Sequence, residues 1–211
     1  MSGGTAASAQ ATLAAAARDP TLIRLLTDPF ALTPGFTGPS QPSGLIPEYD
    51  PGMNAWLVPF PMAPINTKNV HRTNFLLGHP YGTDFAYDEM MVAPGFGEFG
   101  RVATETFATV VSLFGTGGLK PGAGPTRDER EKGFYDILFV GELLDGRRVE
   151  AVVTGDGDPG YGSTSKMITE SALCLVREVQ GEGGIWTPGA LMGPALRKRL
   201  KERAGLTFSA R

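Results

Sequence analysis

Residues 134–154 read FYDILFVGELLDGRRVEAVVT, and this stretch decides the fold. Two runs rich in β-branched and aromatic residues, Phe134–Leu144 and Val149–Thr154, flank the dipeptide Asp145-Gly146. Asp-Gly between two apolar runs is a strong hairpin signal, because glycine readily adopts the positive φ that a tight turn needs. The stretch therefore predicts a pair of antiparallel strands.

Helical patterns follow the hairpin. Apolar residues recur at helical spacing from about Ser163 to Val179. A last helix is predicted from Pro188 to about Arg203, where Gly205 closes a basic final turn. Leu206–Phe208 is predicted to form a short terminal strand.

Helices and strands also alternate before the hairpin. An alanine-rich stretch predicts a helix ending at Arg18, with Thr5 as its N-cap. Residues 29–52 are rich in proline and glycine, which predicts an irregular segment. The other predicted elements are a short helix over 22–26, a strand over 55–58, a helix from Pro64 to Gly78, a strand over 85–92 and a helix over 101–114.

Together these patterns predict an α/β (α+β) fold, with a mixed sheet and helices packed on it. The length of 211 residues suits one domain, and we expect a single substrate-binding or dimerisation domain over residues 1–211.

Composition excludes several function classes. A net charge of -3 gives no electrostatic basis for binding nucleic acid. One cysteine, Cys174, rules out an internal disulfide, and the histidines His71 and His79 do not have the spacing of a zinc site. Neither a signal peptide nor a transmembrane segment is recognisable, so a soluble cytoplasmic protein without a metal is expected.

Gly95–Gly100 matches the G-x-G-x-x-G pattern of dinucleotide-binding loops. Pro94 precedes it directly, Asp88 and Glu89 interrupt the preceding strand, and no acidic residue follows about 20 positions later to bind a ribose. The motif is therefore interpreted as a chance match. A complete small dehydrogenase that uses these glycines is the alternative.

Two further segments are candidate sites. Lys68 and Arg72 lie four residues apart on one predicted helix face and could bind a carboxylate or phosphate, although a solvated charged face is favoured on the residues alone. The segment 155–161 links a strand to a helix N-terminus, where backbone N–H groups and the helix dipole favour ligands. An ordinary turn explains that segment equally well.

Four segments in order, 2–8, 63–74, 155–167 and 184–188, resemble one family. They look like the C-terminal half of the saccharopine-dehydrogenase-like oxidoreductases, in particular the branch that includes trans-acting enoyl reductases. The resemblance runs from about Ser2 to Phe208.

This resemblance implies an NAD(P)-dependent oxidoreductase acting on an unsaturated acyl chain, either free or carrier-bound. In the family a Rossmann domain precedes this half and holds the nucleotide, so no cofactor-binding residue is expected within the chain. A homodimer or a Rossmann-domain partner is implied. A non-catalytic module that forms a homodimer or binds a partner is the alternative.

The resemblance also turns the candidate segments into expected walls of a substrate cleft. Tyr161 or Lys166 is the candidate proton donor, although these two residues are one position too far apart for the Tyr/Lys pair of short-chain dehydrogenases. The expected substrate-binding residues are Asn66, Lys68, Arg72, Asn74, Asp156 and Asp158.

Overall fold

The structure is a computed structural model, and it describes residues 3–93 and 124–210. Residues 4–93 belong to one compact unit, here the N-terminal unit, and residues 124–210 to another, the C-terminal unit. The single domain expected from the sequence stays a prediction. In chain order the described elements are α1 (Gly3–Arg18), α2 (Thr21–Thr27), β1 (Glu48–Asp50), β2 (Ala55–Pro59), α3 (Ala63–Leu76), β3 (Met90–Val92), α4 (Arg127–Lys132), β4 (Phe134–Glu142), β5 (Arg148–Asp156), α5 (Gly162–Arg177), α6 (Pro188–Arg203) and β6 (Leu206–Ala210).

The α+β class is confirmed, but the strands pair differently from the predicted mixed sheet. Each unit has one three-stranded sheet, β1-β2-β3 or β4-β5-β6, and all the described pairs are antiparallel. A single helix between two strands reverses the chain direction and brings it back parallel to the first strand. In the C-terminal unit two helices lie between β5 and β6, so the chain reverses once more and β6 runs antiparallel to β5.

The predicted hairpin is confirmed. Phe134 pairs with Asp156 and Glu142 with Arg148, so the turn falls at Asp145-Gly146, where Gly146 has φ +82°. Side chains alternate between the faces of this sheet, and Leu206 at the start of β6 is buried. The core beside it is formed where α5 and α6 pack, from Cys174, Met192 and Leu196.

Two predicted element boundaries were wrong, and one correctly bounded helix is kinked. The first helix begins at Gly3, so Thr5 lies inside it and is not the N-cap. Only Met90–Val92 of the predicted strand over 85–92 pairs with a neighbour. The last helix is kinked at Met192, which has non-helical φ and ψ, because Pro194 two residues later lacks an N–H and its ring clashes with the preceding turn. The helix predicted over 101–114 lies outside the described residues.

The N-terminal unit has a core built on aromatic rings and one buried histidine. The ring of His71 lies 4.6 Å from that of Phe30 and 5.8 Å from that of Phe85. His71 Nε2 lies 3.1 Å from Gln41 Oε1, which also accepts the backbone N–H of Tyr87, so the histidine is the donor. Burial lowers the pKa of His71 below its ordinary value.

We expect the N-terminal unit to lose stability as the pH falls below about 6.5, the ordinary pKa of histidine in an unfolded chain. Because the folded-state pKa of His71 is lowered, the unfolded state binds the proton first, and stability present at higher pH is lost. Melting temperatures between pH 8 and pH 5 measure the effect, and His71→Gln should reduce it. The matched control is His79→Gln, which leaves His71 in place. An unchanged pH dependence in His71→Gln would contradict this account.

Candidate functional site

The connection between β5 and α5 is organised around the carboxylate of Asp158. Its Oδ1 accepts the backbone N–H of Gly160 at 2.8 Å, and its Oδ2 accepts those of Tyr161 and Gly162 at 2.8 and 2.7 Å. Burial raises the pKa of Asp158, but the three N–H donors outweigh it, so the pKa is lowered overall. These donors at the start of α5, which the sequence predicted either for a ligand or for an ordinary turn, are therefore used within the chain.

Replacing Asp158 by alanine should destabilise the C-terminal unit by about 1–2 kcal/mol, because three backbone N–H groups at the start of α5 would lose their acceptor, as they do when a capping side chain is removed. Because the folded-state pKa is lowered, the contribution is complete above the unfolded-state value near 3.9 and is lost as the pH falls through the folded-state value. Urea unfolding at pH 7 measures the loss. Asp156→Ala is the matched control, since it breaks an exposed ion pair and should cost less than about 1 kcal/mol. Equal losses would contradict a capping role for Asp158.

The other predicted residues of this corner lie close together. Lys166 Nζ lies 3.2 Å from Asp156 Oδ1, in an ion pair that solvent reaches. Tyr161 occupies the N-cap position of α5, and its ring lies against Gly124. Lys166 lies five positions after Tyr161, which corresponds to about 140° around the helix axis. The two candidate proton donors therefore share a corner but not one helix face, and their role stays a prediction.

An open cleft lies beside this corner within the C-terminal unit. Its volume is about 540 Å³, within the range of small-molecule sites. Three cationic side chains and two carboxylates line it, which leaves one positive charge in excess. The lining residues are Arg127, Arg130, Glu131, Asp156, Gly157, Gly162 and Lys166.

Helix α4 contributes residues to this cleft that the sequence analysis missed. Thr126 and Glu129 form a reciprocal capping box that starts the helix. Arg130 and Arg127, three residues apart, then lie on one side of the helix. The T-x-x-E pattern at 126–129 could have revealed α4, but only the folded chain places it beside the β5–α5 corner.

Glycines let α4 approach the corner closely. The carbonyl of Arg130 accepts the backbone N–H of Asp158 at 3.0 Å. A Cβ at Gly162 would lie 3.0 Å from that carbonyl oxygen, and a Cβ at Gly157 3.4 Å from it. Gly157 also has φ +82°, which favours glycine. The corner is therefore a platform that holds the backbone of α4 close to the start of α5, where Lys166 also lies.

A buried polar pair lies beneath the start of α5. Ser163 is fully buried, and its Oγ lies 2.9 Å from the hydroxyl of Tyr135 on β4. That hydroxyl also lies 3.9 Å from Met167 Sδ. These contacts fix α5 on the sheet, so the pair supports the corner from inside the unit.

The predicted cations of α3 lie in the N-terminal unit and bind backbone carbonyls. Lys68 Nζ donates to Leu26 and Pro64 at 2.7 and 2.8 Å, and Arg72 Nη1 donates to Leu32 at 2.7 Å. Burial lowers the pKa of Lys68, although the charge of Asp28 opposes the shift. Both side chains thus connect α3 to the chain around residues 26–32.

The two predicted asparagines of α3 are also bound to protein groups. Asn66 Nδ2 donates to Glu89 Oε2 at 2.8 Å, and Glu89 Oε1 accepts the hydroxyl of Tyr87. Asn74 is buried and bridges the loop after α3, donating to Gly82 and accepting from Tyr81. The α3 residues and the corner residues belong to different units, and a common substrate cleft stays a prediction.

The described residues do not fit a nicotinamide dinucleotide. A dinucleotide-binding domain needs parallel strands joined by a helix, and in residues 3–93 and 124–210 all strand pairs are antiparallel. The glycine-rich β5–α5 connection resembles a phosphate-binding turn, but Asp158 occupies its N–H donors. The motif Gly95–Gly100 lies outside the described residues.

No group of three or more His, Cys, Asp or Glu side chains in the described part of the chain could hold a metal ion. Within the same part, none of the helices has the length and apolar character needed to cross a membrane.

The structure thus defines an α+β protein with a cationic cleft beside the β5–α5 corner. No family model and no solved structure matches the chain. Among curated proteins, a Mycobacterium tuberculosis protein provisionally named a trans-acting enoyl reductase is 35% identical to this chain over an alignment of 238 positions. The alignment covers 95% of this chain and 54% of that protein. The trans-acting enoyl reductase of Mycobacterium ulcerans is 31% identical over 245 residues, covering 99% of this chain and 56% of its own length. The chain thus spans about half the length of the curated relatives it matches.

Proposed function

We propose that the chain is part of an enoyl reductase of the trans-acting type. The observation that carries this proposal is the 35% identity to a relative so named, which extends over 95% of the chain. We assign the chain to the saccharopine-dehydrogenase-like oxidoreductases on the four ordered segments that resemble them. The proposed substrate is an unsaturated acyl chain, either free or bound to a carrier.

In this proposal the chain holds the acyl substrate and delivers a proton, and the nucleotide is bound elsewhere. NAD(P) would bind to the part of the relatives that lies outside the match, because the described residues do not fit it. Tyr161 and Lys166 are the candidate proton donors, since both lie at the β5–α5 corner beside the cationic cleft. The α3 residues Asn66, Lys68, Arg72 and Asn74 are candidates for the substrate side.

The test is a reconstitution. The full chain is mixed with the unmatched part of the Mycobacterium tuberculosis relative, and oxidation of NADPH and NADH is followed with an unsaturated acyl thioester. We expect activity only in the mixture, and loss of a general acid should lower kcat by at least about 100-fold in Tyr161→Phe or Lys166→Met. The proposal would be contradicted if the relative's part were active by itself and adding the chain did not increase that activity.

A second candidate, a homodimerising module, is favoured by the outward face of α5. Ile168 and Val176 are 69% and 81% exposed, and Ala172 and Leu175 complete an apolar stripe at helical spacing. The charged residues of α5, Lys166, Glu170 and Arg177, lie outside this stripe. A second copy is the proposed occupant, because a two-fold contact between uncharged faces meets no like-charge repulsion.

Sedimentation velocity tests this candidate. Val176→Lys should convert a dimer into a monomer, because the contact would then bury two like charges. Leu144→Lys is the matched control, since Leu144 is fully exposed at the hairpin turn and outside the stripe. A monomeric wild-type chain at high micromolar concentration would contradict the module.

A further inference from the structure

We infer that the cleft lined by Arg127, Arg130 and Lys166 is a binding site for a phosphate group. Three cationic residues from two helices line one cleft, and the sequence alone did not group Arg127 and Arg130 with Lys166. Cationic side chains, arginine above all, recognise phosphate oxygens through charge-assisted hydrogen bonds. Three cationic residues along one cleft can offer donors to each of the three terminal oxygens of a phosphate ester, whereas a carboxylate has two oxygens.

The resting contacts of the cations can be exchanged for a ligand. Arg127 pairs with Glu131 at 2.7 Å, with the two side chains 84% and 62% exposed, and Lys166 pairs with Asp156 in a similarly exposed contact. Exposed ion pairs of this kind contribute little to stability. Arg130 Nη1 donates to the carbonyl of Pro125 at 3.0 Å, which leaves the other guanidinium N–H groups as possible donors to a ligand.

The two carboxylates in the cleft, Glu131 and Asp156, determine how much negative charge a ligand needs in order to bind. Glu131 and Asp156 each offset one cation, so the cleft holds an excess of one positive charge. A dianionic phosphate ester can displace both carboxylates from their partners, whereas a neutral or cationic ligand gains nothing from the exchange. Removing one carboxylate should therefore tighten binding of a phosphate.

The site does not depend on the N-terminus of α5. The N–H groups of Gly160, Tyr161 and Gly162 are bound to Asp158, so the recognition rests on the side chains of the three cations. Arg130 is anchored through its own carbonyl to Asp158 N, which sets its backbone before a ligand arrives. Such preorganisation lowers the entropic cost of binding.

The inference rests on the proposed function only for the source of the phosphate. Two sources would present the same phosphate ester group. One is the pantetheine arm that carries the acyl substrate, and the other is the 2′-phosphate of NADPH. Binding of pyrophosphate measures the site itself without any acyl substrate or reduction. Failure of the enoyl reductase proposal would therefore leave this result unaffected.

The experiment is a calorimetric titration of the full chain with pyrophosphate at low salt. Arg130→Gln should raise the Kd by at least about tenfold, the loss of one charge-assisted contact. Lys132→Gln is the matched control on the same helix: Lys132 pairs with Asp128, does not line the cleft and should change the Kd by less than about twofold. Glu131→Gln should lower the Kd by about threefold, a gain that misfolding cannot produce.

Two outcomes would overturn the inference: no saturable binding by the wild-type chain, or equal weakening by Arg130→Gln and Lys132→Gln. A parallel titration identifies the source. Preference for 4′-phosphopantetheine over pantetheine, lost in Arg130→Gln, supports the site and assigns it to the acyl carrier arm. Preference for NADPH over NADH, lost in the same variant, supports the site and assigns it to the nucleotide.

Discussion

Replacing Glu170 by leucine is expected to lower the free energy of unfolding by roughly 3 kcal/mol, the low end of the cost of removing one partner from a buried ion pair. Glu170 Oε2 accepts from Arg199 Nε at 2.9 Å and from Nη2 at 2.5 Å, and both side chains are largely buried between α5 and α6. Glu178 also binds Arg199, which is why the loss should lie at the low end. These two carboxylates raise the pKa of Arg199, so the guanidinium stays charged and would be left with one partner.

Chemical unfolding of the purified chain measures this loss. Glu131→Leu is the matched control, because it makes the same substitution in an exposed ion pair and should cost less than about 1 kcal/mol. The double variant Glu170→Leu/Arg199→Met should recover more than half of the loss, since apolar residues can replace a buried pair at little cost. Similar losses in the two leucine variants would show that the network does not hold α5 and α6 together.

Gly155→Ala is the second change with a large expected effect, a loss of about 2 kcal/mol from overpacking. Gly155 on β5 faces Tyr135 on β4, and a Cβ at Gly155 would lie 2.1 Å from Tyr135 Cζ. The ring cannot move aside easily, because its hydroxyl is bound to the fully buried Ser163. The same displacement would shift the start of α5 and with it the cationic cleft.

Thermal unfolding compares Gly155→Ala with Gly141→Ala in the same hairpin. A Cβ at Gly141 meets only the end of the Val149 side chain and its carbonyl, so that variant should lose much less stability. Adding Tyr135→Val to Gly155→Ala should recover part of the loss, because the smaller side chain makes room. Equal losses at the two glycines would contradict a specific role for the Tyr135 ring.

Local patterns predicted most of the secondary structure correctly, because they depend on short-range physics. The hairpin around Asp145-Gly146, the helix ending near Gly78 and the last strand at Leu206 all follow from turn chemistry and periodicity. The strand over 85–92 was predicted too long, since its first residues bond to side chains such as Gln41 instead of a neighbouring strand.

The candidate site was only partly predictable. Asp156, Asp158, Tyr161 and Lys166 do lie at one corner, as their closeness in sequence required. Asp158 belongs to the helix cap, which the sequence did not distinguish from a ligand contact. Lys68 proved to bind backbone carbonyls, because a charged face can be satisfied by the protein as well as by water or a ligand.

The sequence by itself determined the α+β class, the hairpin and the helices around it, because each depends on residues adjacent along the chain. It also carried the resemblance to trans-acting enoyl reductases, which similarity over 95% of the chain supports. Only the tertiary structure decided that α4 packs on the β5–α5 corner and that Arg127 and Arg130 line the same cleft as Lys166. These residues are more than 30 positions apart in sequence, and their proximity depends on a close approach of two backbone segments that no local pattern encodes.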